Sequence, residues 1–179
     1  KFLDSDDFLY VEQIEKQVNK IKMSDNLISI TDCCYWRPNG EKVKREYYPP
    51  DDERQLGAFI EANQAPVHAF LVPKVLIQKA GGFDETLKTC EDWDLWIRIL
   101  QQGAVTKHLP YVGCCYRISM ISMSANMEEM FMQRCKVIEK VNNWLLKEEN
   151  LSQHEEKWYW FASILIINIK MFEEIIARR

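Results

Sequence analysis

The order of strand-like and helical patterns along the chain predicts an α/β fold, in which helices cover a sheet. Strand-like stretches at 27–36, 67–72 and 105–118 alternate with stretches in which apolar residues recur at helical spacing. The composition supports a folded domain, because 47% of the 179 residues are hydrophobic and 28% are charged. From residue 126 the pattern is helical, with a break at 149–153, which predicts a helical C-terminal extension.

The first part of the chain is predicted to hold a helix, a hairpin and a second, shorter helix. We expect Phe2-Leu3 to end a strand and an amphipathic helix to follow directly. The apolar residues of that helix are Phe8, Val11, Ile14, Val18 and Ile21. Two strands at 27–36 and 43–48 are joined by the turn sequence Pro38-Asn39-Gly40, and a short helix is expected over 53–62.

The middle of the chain is predicted to alternate between strands and helices. The apolar run at 67–72 has the length of a buried strand, and the next helix starts at Pro73 and stops at Gly81-Gly82. We expect Thr89 to cap the following helix, which would place Asp92 at its third helical position. The buried stripe of that helix is Trp93, Trp96, Ile97 and Leu100.

Charge and cysteine usage exclude several classes of protein. The chain has 23 basic and 27 acidic residues and a net charge of -4, whereas a protein held on nucleic acid by electrostatics carries a basic excess. We therefore expect no nucleic-acid partner. The six cysteines include two adjacent pairs and no Cys-x-x-Cys spacing, which favours buried free thiols over disulfides or a structural zinc site of the usual spacing. These features predict a cytoplasmic protein.

The last stretch, 151–179, carries apolar residues on more than one helical face. Its apolar run at 158–169 is interrupted by Ser163 and Asn168 and is too short to span a bilayer. Such a helix packs in a core, pairs with a partner, or lies against a membrane surface. We expect a core or homo-oligomer contact, with peripheral membrane association as the alternative.

A first acidic cluster, Asp4-Ser5-Asp6-Asp7, follows the apolar pair at the start of the chain. Carboxylates at the carboxyl end of a strand lie where α/β proteins bind ligands, and two of them can hold one hard divalent cation. Two other interpretations stay open. Asp6 and Asp7 could cap the following helix, and a phosphatase could use Asp4 as nucleophile and Asp6 as acid. Phe8 weakens the phosphatase hypothesis, because such a motif carries threonine or valine at that place.

A second acidic cluster, Glu91-Asp92-Trp93-Asp94, opens the helix of the tryptophan stripe. Asp92 lies off that stripe, so it can project into a cleft and accept a proton from a bound hydroxyl. We expect the helix dipole to lower the pKa of Asp92 and keep it ionised. Acids in the first turn also favour a helix by themselves, so a purely structural role stays open.

Together, these segments resemble the family 2 glycosyltransferases of the GT-A fold. The first cluster resembles the family's D-x-D-D motif, and the second resembles its "ED" motif, whose aspartate is assigned as catalytic base. The stretch that ends in Gly82-Phe83-Asp84-Glu85 resembles the segment before the acceptor site. Tyr116-Arg117, followed by Ser122 and Ser124, resembles the segment that closes the domain. The resemblance runs over about 1–125.

The resemblance implies the acceptor-side part of a GT-A Rossmann-like mixed sheet over 1–125, followed by a helical extension over 126–179. The nucleotide-binding half of the family's domain would precede Lys1. A protein that consists of a truncated domain or of a helical interaction module acting through 151–179 remains the non-catalytic alternative.

The implied activity is transfer of a single sugar, with inversion, from a nucleotide-sugar donor to a carbohydrate or lipid-linked acceptor. Single transfer is expected because the Q-x-x-R-W motif of processive synthases is absent. The implied sites are Asp92 as base, Glu91, Asp94, Trp93 and Arg117 for the substrate, Asp4 and Asp6 for Mn²⁺ or Mg²⁺, and Asp4, Asp6 and Asp7 for the donor. Ser119 stands where the family often has a metal-binding histidine, which leaves His68 and His108 as candidates for a third ligand.

Overall fold

The computed structural model describes residues 1–22, 24–47, 54–119, 122 and 126–147. The elements in chain order are β1 (Phe8–Leu9), α1 (Gln13–Ile21), β2 (Leu27–Trp36), β3 (Lys42–Arg45), α2 (Gln55–Glu61), β4 (Phe70–Leu71), α3 (Lys74–Lys79), α4 (Glu91–Gln101), β5 (Val105–Arg117) and α5 (Met127–Leu145). A 3₁₀ turn at Val67–Ala69 precedes β4.

The strands form one mixed sheet, as the sequence predicts. Its order is β1-β5-β2-β3, and β4 pairs with β2. The long strands β2 and β5 run parallel to each other, whereas the other pairs are antiparallel. Because helical segments separate the two parallel strands in the sequence, the topology is that of an α/β domain.

The core lies where α2, α4 and α5 pack against the sheet. Trp96 of α4 is fully buried and stacks on Phe70 of β4, with ring centroids 4.5 Å apart. Helix α5 belongs to the same core, since its buried apolar residues are Val137, Ile138, Val141 and Leu145. The predicted helix after the break, 151–179, lies outside the described residues. No helix in the described ranges is long and apolar enough to cross a membrane.

Several predicted boundaries are confirmed. The hairpin of β2 and β3 turns at 38–40, where Gly40 has a φ of 84°. Helix α3 follows Pro73 and ends at Lys79, just before Gly81 and Gly82, whose φ angles of 83° and 76° are accessible to glycine at little cost. The prediction of β5 is also confirmed, within one residue at its end.

The first helix differs most from its prediction. It begins at Gln13 rather than near Phe8, because Phe8 and Leu9 pair with β5 instead. Val11 lies before this helix and is 101% exposed, and Ile14 and Val18 on the helix are exposed too, whereas Gln13 and Gln17 are completely buried. The two glutamines face inward, where their amide groups donate to backbone carbonyl oxygens: Gln17 Nε2 donates to Ser29 O at 3.0 Å.

Two predicted strands are shorter or missing. Phe2 and Leu3 have no regular secondary structure, and the strand predicted at 67–72 is a 3₁₀ turn followed by the two-residue strand β4. The turn is held by side chains, since Gln13 Nε2 and Lys1 Nζ both donate to the His68 carbonyl oxygen. Apolar runs of this length do not distinguish a strand from other buried backbone.

Candidate functional site

The two acidic clusters meet at one cleft of about 1170 Å³. The ring of Phe2, before the first cluster, packs edge-on against Phe83, before the second, with centroids 4.8 Å apart. Among the described residues, Arg45 and Arg117 are the basic side chains that line this cleft. The carboxylates that line it are Asp4, Asp6, Glu46, Asp84, Glu85, Glu91 and Asp92. An anionic ligand in such a cleft requires a cation to offset the acidic charge.

The start of α4 places Asp92 at the cleft, but not as predicted. Cys90, not Thr89, is the N-cap residue, and it has a left-handed φ of 62°, which is uncommon for a residue other than glycine. The helix therefore begins at Glu91, and Asp92 is its second residue. Strained backbone of this kind is frequent at functional sites, and here it lies directly before the two acids that line the cleft.

Asp92 is held by two hydrogen bonds. Asn63 Nδ2 donates to its Oδ2 at 3.0 Å, and the backbone N–H of Trp93 donates to its Oδ1 at 2.7 Å. Burial raises the pKa of Asp92 to about 6, and the negative charges of Glu91 and Asp4 act in the same direction. The expectation that the helix dipole lowers this pKa is wrong, because desolvation outweighs the favourable contacts. A carboxylate with a pKa near the working pH suits a general base.

Asp4 and Asp6 are exposed at the cleft, whereas Asp7 is not among its lining residues. The Asp7 side chain is only 1% exposed; its Oδ1 accepts a hydrogen bond from the backbone N–H of Arg117 at 2.6 Å. Its Oδ2 lies 3.2 Å from His68 Nδ1. Burial raises the pKa of Asp7, and the bond from Arg117 and the nearby His68 oppose this. Asp7 thus ties the first cluster to the end of β5.

The residues of the first cluster fit a hard divalent cation. Asp4, Asp7 and His68 offer ligand atoms that lie within 4.8 Å of one another. Asp6 is not in this group, although it lines the same cleft. Carboxylate oxygens are the ligands that Mn²⁺ and Mg²⁺ prefer, and Asp4 is the exposed member of this group. His108, the other histidine candidate, instead lies 2.7 Å from Asp32 Oδ1.

The structure divides the residues predicted to bind substrate. Glu91 and Arg117 line the cleft. Trp93 is 2% exposed and its indole N–H donates to the Phe59 carbonyl oxygen, so it packs in the core. Asp94 is also buried, and it does not line the cleft.

Asp94 is the centre of an ion-pair network behind the cleft. Its Oδ2 lies 2.6 Å from Arg98 Nη2 and its Oδ1 lies 2.5 Å from Lys140 Nζ. Arg98 also donates to the carbonyl oxygens of Ala80 and Gly82. The network therefore fixes the glycine turn that leads to Phe83, Asp84 and Glu85 at the cleft.

Sequence reasoning missed several polar residues at the cleft. Asn63 contacts Asp92 from the loop after α2, 29 positions earlier in the chain. Tyr35 and Tyr47 line the cleft from the hairpin, and their hydroxyl groups are 3.0 Å apart. No local spacing links these residues to the acidic clusters, so only the folded chain identifies them. Ser122 also lines the cleft, and Ser124 lies outside the described residues.

Comparison with solved structures establishes the fold. The chain superposes on a structure of residues 1–349 of S. aureus TarS in complex with UDP, with a TM-score of 0.57. The superposition covers 88% of this chain and 44% of the TarS chain. That structure has the GT-A fold. The fold of this chain is GT-A-like. The sequence identity is 16%, so this likeness concerns the fold.

Curated relatives point in the same direction. The chain is 32% identical over 111 residues to an uncharacterized glycosyltransferase of Rickettsia typhi and 31% identical to one of Rickettsia prowazekii. A third, from Rickettsia felis, is 28% identical over 110 residues. Each match covers 58% of this chain; the chain spans 35% of the length of the first two relatives. No protein-family model matches the chain.

Proposed function

We propose that this chain forms the acceptor side of a family 2, metal-dependent glycosyltransferase that transfers one sugar with inversion. The observation that carries the proposal is the position of Asp92, a half-buried carboxylate with a pKa of about 6, at the cleft that also holds Asp4 and Asp6. The relatives named glycosyltransferases and the UDP bound to TarS support it. The proposed glycosyltransferase domain ends near residue 125, and a helical extension follows it.

Asp92 is the base in this proposal. It takes the proton of the acceptor hydroxyl while the acceptor oxygen bonds to the anomeric carbon of the donor. The bond from that carbon to the diphosphate breaks, and the nucleoside diphosphate leaves with the electron pair. Attack opposite the leaving group inverts the anomeric configuration. Asn63 orients the carboxylate by its bond to Oδ2, and Glu91 lies beside Asp92 to contact the acceptor.

Asp4 and Asp6 hold the divalent cation, Mn²⁺ or Mg²⁺, in this proposal. The cation supplies Lewis-acid stabilisation of the diphosphate leaving group when it is bound. Asp7 contributes to the donor site indirectly, by anchoring the segment that carries Asp4 and Asp6 to Arg117. The Arg117 side chain, at the edge of the cleft, is available for the donor phosphates or the acceptor.

The test uses the intact protein that contains this chain and a panel of nucleotide sugars, with Mn²⁺ or Mg²⁺ added after chelation. Release of nucleoside diphosphate is measured by chromatography, and the anomeric configuration of any product by NMR. Asp92→Asn is compared with Asp25→Asn, which changes an exposed carboxylate outside the cleft. We expect metal-dependent turnover that Asp92→Asn abolishes and Asp25→Asn retains.

The same preparation is tested with p-nitrophenyl phosphate to address the phosphatase alternative. Phosphate-ester hydrolysis that depends on Asp4 and is unaffected by Asp92→Asn would establish that alternative. Absence of donor binding with any metal, measured by calorimetry on folded protein, would instead favour a non-catalytic module.

A further inference from the structure

Three metal-binding side chains converge in the interior, behind the first acidic cluster. Cys33 of β2, Cys114 of β5 and His68 of the 3₁₀ turn are all completely buried. Their ligand atoms lie within 4.8 Å of one another, and Cys33 Sγ is 3.8 Å from His68 Nε2. Buried polar groups in such a cluster require partners, and two thiols beside an imidazole are a common set of zinc ligands.

An irregularity in the sheet brings the two sulfur atoms together. The parallel register of β2 and β5 shifts on both sides of Asp32, and Cys33 lies directly opposite Cys114 after the second shift. Bulges of this kind redirect side chains and are frequent beside functional sites. Cys34 and Cys115 form the next pair in the register, and their side chains point to the other face of the sheet.

The second nitrogen of His68 faces a carboxylate. Nδ1 lies 3.2 Å from Asp7 Oδ2, but among the described residues neither atom has a hydrogen-bond partner of good geometry. Histidines that bind a metal through one nitrogen almost always donate from the other to a carboxylate or carbonyl group. A small rotation of the ring, with Nε2 bound to a metal, would align the bond to Asp7. The unpartnered Nδ1 is an observation independent of the three converging ligands.

We propose that Cys33, Cys114 and His68 Nε2 bind a zinc ion, with Asp7 as the carboxylate that orients His68 and a water molecule as the fourth ligand. Thiolate and imidazole ligands select zinc, whereas Mn²⁺ and Mg²⁺ prefer the carboxylates of the cleft. The ion would join β2, β5 and the 3₁₀ turn behind the first acidic cluster. No local spacing in the sequence indicates this site, because Cys33 and His68 are 35 positions apart and His68 and Cys114 are 46 positions apart.

This site does not depend on the proposed glycosyltransferase activity, so it is tested by metal content and spectroscopy. Zinc per chain is measured by mass spectrometry of protein purified without chelators, and Co²⁺ replacement is followed by sulfur-to-cobalt absorption in the near ultraviolet. X-ray absorption of the zinc-loaded wild-type protein identifies the ligand atoms without any substitution. The variants are Cys33→Ser and Cys114→Ser, and the matched controls are Cys34→Ser and Cys115→Ser.

We expect one zinc per chain in the wild type and in both controls, and loss of zinc and of the cobalt band in Cys33→Ser and Cys114→Ser. X-ray absorption should give two sulfur ligands and one imidazole nitrogen. Asp7→Asn should retain the ligands but weaken zinc binding by about 10- to 100-fold in a chelator competition.

Three results would overturn the proposal. The first is wild-type protein that holds no zinc and binds no Co²⁺ through sulfur. The second is a disulfide between Cys33 and Cys114. It would lower the mass of the protein by two hydrogen atoms and prevent thiol reagents from labelling these two cysteines. The third is equal loss of zinc in the Cys34→Ser control. If the Cys33 or Cys114 variant fails to fold, X-ray absorption of the wild type decides, and a zinc bound by oxygen and nitrogen alone would refute the assignment.

Discussion

Replacing Asp92 by asparagine separates catalytic from structural roles at the cleft. The substitution keeps the size of the side chain and its acceptor for the Trp93 N–H, but removes the negative charge. The NH₂ group of the new amide then faces Asn63, whose own side-chain amide can rotate to present its Oδ1 as the acceptor. The fold should therefore persist, while the proton acceptor is lost.

The expected effect on stability follows from the raised pKa. Burial raises the pKa of Asp92 from 3.8 to about 6, which corresponds to about 3 kcal/mol of preference for the neutral form in the folded protein. Because the folded state binds this proton more tightly, the contribution of Asp92 to stability is full below pH 3.8 and is lost as the pH rises to about 6. At pH 7 we expect Asp92→Asn to raise the free energy of unfolding by about 1 to 3 kcal/mol, less the cost of any weakened bond to Asn63.

Asp92→Asn should lower the activity of the protein, although it raises the free energy of unfolding. Loss of a general base lowers turnover by about 10²- to 10⁴-fold. In the wild type, kcat/KM should fall below about pH 6 as Asp92 becomes protonated, and this limb should be absent from the residual activity of the variant.

The measurement combines urea unfolding at pH 7 with donor turnover across pH 5 to 8. Asp94→Asn is the matched control, because its carboxylate is two residues away but pairs with Arg98 and Lys140 in the interior. That control should lose about 1.5 to 3 kcal/mol of stability, since it removes the charge of a carboxylate that is 3% exposed and pairs with both Arg98 and Lys140. Turnover by Asp92→Asn close to the wild-type value would refute the role of Asp92 as base, and a loss of stability like that of Asp94→Asn would contradict the raised pKa of Asp92.

Three further predictions address the scaffold and the metal. Gly113→Ala should lower the free energy of unfolding by about 1 to 3 kcal/mol in urea titrations, because a Cβ there would lie 2.7 Å from Gln13 Cγ; an unchanged midpoint would contradict this packing. Asp4→Asn should raise the Mn²⁺ concentration needed for half-maximal activity without changing the circular dichroism spectrum, and equal metal requirement in variant and wild type would remove Asp4 from the proposed site. Lys140→Met should lower the free energy of unfolding by about 0.5 to 1.5 kcal/mol at pH 7, because it removes a partly exposed cation that lies 2.7 Å from Asp84, holds the pKa of Asp84 well below its usual range and also pairs with the buried Asp94. If Lys140→Met unfolds at the same urea concentration as the wild type, the ion pair contributes nothing.

The first helix shows where sequence patterns stop being sufficient. Its apolar residues recur at helical spacing, so periodicity predicts that they face the core. In the structure Val11 is fully exposed and Gln13 and Gln17 are buried, because the glutamine amide groups donate to the carbonyl oxygens of the 3₁₀ turn. Local hydrophobicity does not record which backbone groups a distant strand leaves unpaired.

The candidate site shows the same division. The sequence alone identified the acidic clusters as the chemically informative segments and placed Asp92 near the start of a helix. It could not show that burial reverses the expected pKa shift of Asp92, since that shift depends on Asn63 and on surfaces far away in the chain. It also could not separate Asp94 from Asp92, which differ in role because side chains two positions apart lie on opposite sides of a helix.

The sequence by itself determined the α/β class, the main strands and helices, and the two acidic motifs, because these depend on residue type and short-range periodicity. Only the tertiary structure decided which acids line the cleft, which one is an internal ion-pair partner, and which cysteines and histidine meet in the interior. Those outcomes depend on long-range register, such as the pairing of Cys33 with Cys114 after a bulge, and on desolvation. Both are properties of packed surfaces that no local stretch of the chain contains.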